Sequence, residues 1–287
     1  MNASSNSDLS PSSTWPIFIQ LSTYSLVIIL AISYTILILI RPTLRNNKLN
    51  WFTINVCLTS AWFSIILLVM GVKQLLIEFD GFSCYIQTFL IDMSACQLMY
   101  AHCGFAISRL LAIVYANKPI FRSNQCLRFC IILGWLVACL VAFPYLFLDS
   151  FLCFTSTQPT FLPYYTLITT LLLPIIIVTV CNGRTLLFVR NSTRRIRATN
   201  TGGQISHKRD VFLVKLTVGT FFSFIIGWSP SFIIQLFNKS SIVPTILNQC
   251  SQILPPLALL YDVLLLIFTN QPVRTILKQF TTKIFKC

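Results

Sequence analysis

The sequence has little charge for its length. Of its 287 residues only 10% are charged, seven are acidic and two are histidines, whereas 55% are hydrophobic. Soluble domains carry about 25% charged residues, so the chain has too few to cover a water-facing surface. The deficit predicts an integral membrane protein with an apolar surface that faces lipid.

Other absences exclude further classes of protein. The first 16 residues contain no Lys or Arg, so the start lacks the basic segment of a signal peptide, and we interpret the first apolar run as a retained transmembrane helix. Two histidines, His102 and His207, are too few for a zinc hydrolase. No lysine lies between Lys239 and Lys278, which excludes a conventional retinal Schiff base in the last apolar run. We therefore predict neither an enzyme nor a bound cofactor.

Seven apolar runs are long enough to cross a bilayer, which takes about 20 residues of helix. They cover Ile17–Ile40, Trp51–Leu75, Tyr85–Tyr115, Leu127–Leu148, Leu162–Val189, Val211–Phe237 and Ile246–Thr269. The sequence thus predicts an all-α seven-helix membrane domain over 17–269, after a polar N-terminal tail over 1–16.

The basic residues set the predicted orientation. With seven crossings and an extracellular N-terminus, all but Lys73 and Lys239 of the 21 Lys and Arg residues fall on the cytoplasmic side. An even number of helices would scramble this pattern. The basic residues occupy short gaps between apolar runs, so the formal charge of +14 does not indicate nucleic-acid binding. We expect a multi-pass protein of the plasma membrane.

Residues 270–287 form a predicted cytoplasmic tail with a short amphipathic eighth helix. Val273, Leu277 and Phe280 recur at helical spacing with basic residues between them, as in helices that lie on a membrane surface. The terminal Cys287 is either palmitoylated there or a free thiol.

The predicted topology places three cysteines outside. A bridge between Cys84 and Cys153 would hold the second outer loop over the mouth of the bundle, and Cys250 is the competing partner. Asn2 and Asn238 begin glycosylation sequons that would face outward.

Several motifs, in order, resemble the rhodopsin-like class of G-protein-coupled receptors. Arg109, in the segment from Ser108 to Tyr115, follows Cys84 by 25 residues and resembles the DRY end of the third helix. Trp135 and Pro174 match the family's tryptophan and proline of the fourth and fifth helices. The segment Gly227-Trp228-Ser229-Pro230 resembles the sixth-helix CWxP motif.

The chain also departs from that family pattern. Ser108 replaces the acidic residue of DRY, Ser60 replaces the second-helix aspartate, and Tyr34 replaces the first-helix asparagine. Asp262 begins Asp-Val-Leu-Leu-Leu where the family has NPxxY, and Asn182 stands where the fifth helix has tyrosine. The resemblance is therefore to a divergent member.

The resemblance implies a receptor that transmits an unknown extracellular ligand to a heterotrimeric G protein. Arg109 would contact the G protein, while Trp228 and Pro230 would form the cavity floor and a helix kink. Asp262, a carboxylate inside the membrane, should face the bundle interior because a charge facing lipid costs about 2.5–3.5 kcal/mol.

The ligand cavity is less constrained by the sequence. The family's amine-pairing position, seven residues after Cys84, is Ile91, so a monoamine ligand is disfavoured. Asp92 is one position on and either faces the cavity or has a structural role. A transporter or channel that uses Asp92 and Asp262 along a polar pathway is the alternative function, and a scaffold that binds without signalling is also open.

The loss of the acidic neighbour of Arg109 predicts raised basal activity. Without Asp or Glu at position 108, the charge pair that would hold Arg109 is absent. We expect Ser108→Asp to lower ligand-free G-protein nucleotide turnover, measured in membranes with matched receptor amounts. Equal turnover in the wild type and the variant would count against this role for Ser108.

Overall fold

The computed structural model describes residues 15–45, 48–76, 81–115, 123–147, 161–199, 218–219, 221–223, 225–231, 233–234, 245–270 and 273–275. Within these ranges every regular element is helical. The long helices are α1 (Trp15–Ile40), α2 (Lys48–Leu76), α3 (Gly81–Val114) and α4 (Asn124–Ala142). Next comes α5, whose three successive segments are Leu162–Thr166, Leu167–Leu172 and Leu173–Thr199. The described positions between 218 and 234 are helical and are called α6, and α7 is Thr245–Thr269.

Six of these helices are long and apolar enough to cross a membrane, namely α1 to α5 and α7, with the α4 span reaching Leu146 through a 3-10 turn. The predicted sixth run, Val211–Phe237, is described only in part, as α6. Of the predicted eighth helix, residues 273–275 are helical and the remainder lies outside the described residues.

The outer surface of the bundle is far more apolar than that of a water-soluble bundle. Large apolar side chains point outward, with Leu140 70% exposed and Ile29 61% exposed. The interior is mostly apolar too, but it also contains polar and ionisable side chains, among them Gln97, His102 and Asp262, each 1% exposed. Because hydrocarbon cannot solvate such groups, they gain by meeting one another inside the bundle.

The helices pack in a continuous arrangement around α2 and α3. Helix α1 contacts α2 and α7, α2 contacts α3, α4 and α7, and α3 contacts α4 and α5. Trp135 on α4 donates a hydrogen bond from Nε1 to Oδ1 of Asn55 on α2, at 3.3 Å. Residues from α1, α2, α3, α5, α6 and α7 share one buried core.

The outer part of α5 is widened by a π-helical turn at Leu167–Leu172. Pro174 has no N–H to donate to the carbonyl four residues before it, and its ring clashes with that carbonyl. The backbone instead bonds from the N–H of Leu173 to the carbonyl of Ile168, five residues back. Pro174 therefore accounts for the local change of helical register.

Helices α6 and α7 approach closely at Gly227. A Cβ atom added there would lie 2.3 Å from the Cβ of Ala258 and 3.2 Å from the carbonyl oxygen of Leu254. Only a residue without a Cβ fits without moving α7, which explains the glycine beside Trp228.

We predict that Gly227→Ala lowers the thermal midpoint of the purified, detergent-solubilised protein, because overpacking costs about 1–3 kcal/mol. Combining it with Ala258→Gly should recover part of the loss, since the closest contact is removed. Gly183→Ala is the matched control, because no atom lies within 4 Å of a Cβ placed there. An unchanged midpoint for Gly227→Ala would rule out this close approach.

Candidate functional site

Arg109 lies inside the bundle near the end of α3. Its side chain is buried, 3% exposed, and its guanidinium lies over the Phe105 ring, 4.0 Å from the centroid. The hydroxyl of Ser108 donates a 2.8 Å hydrogen bond to the Phe105 carbonyl, one turn back. Arg109 also takes part in a further interaction. The cation is therefore held by its own helix and neighbours rather than extended to the surface.

His102 lies seven residues before Arg109, about two helical turns, and so on the same face of α3. Its Nε2 is 3.4 Å from Oδ2 of Asp262 on α7, and both side chains are buried. This contact joins α3 to α7 in the middle of the membrane-spanning region. Sequence reasoning placed Asp262 in the interior but did not identify its partner, because nothing in the spacing links residues 160 positions apart.

Helix α2 also lies next to the His102–Asp262 pair. Cys57 lies close to Asp262 and is fully buried, as are Ser60 and Ser64. The Ser60 hydroxyl donates to the Val56 carbonyl of its own helix, at 2.9 Å. Among the described residues, the Ser64 hydroxyl, both oxygens of Asp262 and Nε2 of His102 have no hydrogen-bond partner, and the His102–Asp262 approach at 3.4 Å is the nearest polar contact that the carboxyl makes. The carboxyl therefore depends on His102 more than on the serine that stands in the family's aspartate position.

On α6, Trp228 is half-buried and stacks on Phe63 of α2, with ring centroids 5.2 Å apart and an interplanar angle of 27°. Pro230 follows two residues later and is also half-buried. Trp228 thus lies between α2 and the close contact of Gly227 with α7. The aromatic contact and the glycine together fix this part of α6 against two helices.

The two residues of the predicted ligand cavity lie on different faces of α3. Ile91 precedes Arg109 by 18 residues, which is five turns, so it shares the face of Arg109 and packs against the core. Asp92 is half-buried, turned by about 100°, and precedes Cys96 by one turn. Cys96 contacts Thr170 of α5, with Sγ and Oγ1 3.0 Å apart. Asp92 is therefore on the α5 side of α3.

Further hydrogen bonds join α3 to the π-helical part of α5. The hydroxyl of Tyr100 donates to the carbonyl of Thr169 at 3.2 Å, and the Cys103 thiol contacts the carbonyl of Pro174 at 3.9 Å. Tyr145, which lies near Asp92, forms a hydrogen bond with Thr166. One carbonyl of the irregular turn, that of Thr169, is thus used in a contact between helices.

A polar cluster at the far end of the bundle was also missed by sequence reasoning. Asn270 donates from Nδ2 to the hydroxyl of Tyr34 at 2.9 Å and to Oδ1 of Asn50 at 3.4 Å. Asn50 in turn donates to the carbonyl of Leu44 at 2.7 Å. In the sequence, Tyr34 stands out only because it replaces the family's first-helix asparagine. In the structure, its hydroxyl links α1 to the end of α7.

Several predicted sites lie beyond the structural description. Cys153, Asn2, Asn238 and Cys287 are outside the described residues, and the side chain of Cys84 is not described either. Cys250, the competing disulfide partner, is an exposed free thiol on α7. Among the described residues no group of three or more His, Cys, Asp and Glu is placed to hold a metal ion.

Comparisons with known proteins agree with this arrangement. Residues 18–271 match the family model of the 7 transmembrane receptor (rhodopsin family). The structure resembles the crystal structure of squid rhodopsin with a TM-score of 0.71 and 18% sequence identity, covering 95% of this chain and 84% of the squid chain. At that identity the likeness concerns the fold. A search of curated protein sequences gives no match.

We predict that the His102–Asp262 contact stabilises the bundle as a pair. His102→Leu or Asp262→Leu alone strands one buried polar group, which costs about 1–3 kcal/mol, so each should lower the thermal midpoint in detergent. The double variant should lose less thermal stability than the two single variants lose together, because no unpaired polar group remains.

Tyr261→Phe is the matched control, because Tyr261 neighbours Asp262 but is exposed on the outer side of α7. Its midpoint should stay at the wild-type value. Strictly additive losses for His102→Leu and Asp262→Leu would mean that the two side chains do not depend on each other.

Proposed function

Because the chain belongs to the rhodopsin family of seven-transmembrane receptors, we propose that it couples an extracellular ligand to nucleotide exchange on a heterotrimeric G protein. The proposal includes a seventh crossing formed by α6, an extracellular N-terminus and residence in the plasma membrane. The observation that supports it best is the buried polar line along one face of α3, from the His102–Asp262 contact to Arg109.

This line offers a physical route from the middle of the bundle to its cytoplasmic end. His102 and Arg109 share a helix face, so a change in how α7 meets His102 alters the position of the α3 end that holds Arg109. The guanidinium stays buried over Phe105 in the described arrangement. We propose that activation releases it into a cytoplasmic cleft, where it contacts the G protein.

Helix α6 is the proposed moving element. Pro230 removes one backbone hydrogen bond and so provides a hinge. The Trp228–Phe63 stack and the Gly227–Ala258 approach hold α6 on α2 and α7. A ligand that favours a different Trp228 position would bias α6 outward, provided it binds that arrangement more tightly than the resting one.

The proposed ligand cavity lies between Trp228 and the outer part of α3, bounded by Ile91 and Asp92. The apolar Ile91 faces the bundle centre, and Asp92 lies toward the α5 seam, so we expect a ligand with an apolar body and a polar group directed to α5. A Cys84–Cys153 disulfide would hold the second outer loop above it.

Further features of the proposal concern surfaces and modifications. Glycans at Asn2 and Asn238 would lie outside. An amphipathic helix after Asn270 and palmitate on Cys287 would lie on the inner leaflet. The basic third inner loop and the segment from Arg109 to Arg128 would meet the G protein and anionic lipid.

A transporter or channel is supported less well. Asp92 and His102, the partner of Asp262, are ten residues apart on α3, which is about 15 Å along the helix axis. They also lie on different faces, toward α5 and α7 respectively. The two acidic side chains are therefore poorly arranged to line one polar pathway.

The decisive assay is nucleotide exchange on a panel of purified heterotrimers, using membranes that contain the full chain and a non-hydrolysable GTP analogue. We expect ligand-free exchange above receptor-free membranes and a loss of at least tenfold in Arg109→Ala. Arg45→Ala is the control, because Arg45 is an exposed arginine near the same predicted face. Absence of exchange on every heterotrimer, with peptides, amines and lipids added, would contradict the receptor function, and substrate flux in the same membranes would support the carrier.

A further inference from the structure

Two cysteines lie at the start of α4, apart from the site described above. Cys126 and Cys130 are four residues apart, so their side chains lie one turn apart on the same face of the helix. The helix begins at Asn124 with a cap in which the N–H of Cys126 donates to the Ser123 hydroxyl at 3.2 Å. The cap fixes where α4 begins and therefore how far the two thiols lie from the start of the helix.

The pair lies at the boundary between the apolar and polar parts of α4. The apolar span begins at Gln125, so Cys126 and Cys130 lie within about 8 Å of its end along the helix axis. Arg128 between them is exposed, as expected at the level of lipid headgroups. Both thiols are half-exposed and free, so they remain accessible at this boundary.

An exposed apolar surface continues from this pair toward the membrane centre. Phe129 is 64% exposed and Leu140 is 70% exposed, and Leu133 and Leu136 lie between them on the same side. Cys126 and Leu133 are seven residues apart, so the thiol lies almost in line with this stripe. A chain attached to Cys126 or Cys130 would run along lipid-facing side chains and would displace no other helix.

We propose that Cys126 and Cys130 form an S-acylation site that anchors the α3–α4 connection to the inner leaflet. The inference rests on the orientation given under the proposed function, which puts this end of α4 in the cytosol. The thiol sulfur attacks the carbonyl carbon of a long-chain acyl thioester. A new C–S bond forms, the donor's C–S bond breaks, and the thiol proton ends on the departing donor thiol.

The position distinguishes this pair from the other described cysteines. Cys57, Cys96, Cys103 and Cys181 are buried in the core. Cys250 is exposed, but it lies near the start of α7, which is on the outer side in the proposed orientation. Cys139 is exposed on α4 but lies nine residues beyond Cys130, about 14 Å deeper in the span. A soluble acyl donor at the headgroup level reaches the pair but not Cys139, which therefore serves as an internal control.

The test is acyl exchange on the full chain carrying Cys287→Ser, expressed in cells. Free thiols are blocked, thioesters are cleaved with neutral hydroxylamine, and the released thiols are given a large maleimide label. We expect hydroxylamine-dependent mass shifts of up to two labels, one lost in Cys126→Ser, one in Cys130→Ser and both in the double variant. Cys139→Ser should leave the pattern unchanged.

One further measurement keeps the outcome decisive. Intact-mass analysis of the purified Cys287→Ser protein should show the mass of one or two acyl chains, which covers the case in which a serine variant fails to fold. Labels that persist in the double variant, no acyl mass at all, or a disulfide between Cys126 and Cys130 would each overturn the proposal.

A separate experiment tests the orientation on which the proposal rests. Gln125→Cys, in a chain that also carries Cys126→Ser, Cys130→Ser and Cys250→Ser, should react with a membrane-impermeant maleimide only after permeabilisation, because Cys250 is an exposed free thiol that would otherwise react from the outer side. Reaction in intact cells would show that this end of α4 is extracellular, which contradicts the proposed topology. Reaction only after permeabilisation, with no acyl mass on the Cys287→Ser protein, would contradict acylation alone.

Discussion

The inability of hydrocarbon to solvate polar groups is the constraint on which this structure depends. It accounts for the exposed Leu140 and for the burial of His102 and Asp262, each 1% exposed. A carboxyl group facing lipid would cost several kcal/mol, so Asp262 is directed to the interior, where His102 lies 3.4 Å away. A single contact therefore brings two costly groups together and at the same time joins α7 to α3.

Several polar contacts among the described residues connect different helices. The His102–Asp262 contact joins α3 to α7, the Cys96–Thr170 contact joins α3 to α5, and Asn270 joins α7 to Tyr34 of α1. Such contacts are suited to a conformational switch, because breaking one exposes groups that must find new partners. This is the physical basis for placing the proposed signal path along α3, which takes part in the first two contacts.

The helices were predictable from the sequence because their signal is local. The run Ile17–Ile40 corresponds to Trp15–Ile40, and Ile246–Thr269 to Thr245–Thr269. The fifth apolar run was predicted to end at Val189, but α5 continues to Thr199. Hydropathy marks the end of the apolar segment, whereas the helix itself continues into polar sequence. The partners of the buried polar groups were not predictable, since His102 and Asp262 meet only through tertiary packing. The fit of Gly227 against Ala258 was hidden for the same reason. The π-helical turn before Pro174 had a local cause, but proline alone does not specify which register change follows.

The central claim is that polar side chains meet inside a bundle that crosses the bilayer an odd number of times. Its most direct test is the location of the two chain ends, measured with different epitopes on the N- and C-termini in intact and permeabilised cells. The account predicts antibody binding to the N-terminal epitope in intact cells and to the C-terminal epitope only after permeabilisation. Binding to both epitopes, or to neither, in intact cells would place both ends on one side and contradict the account.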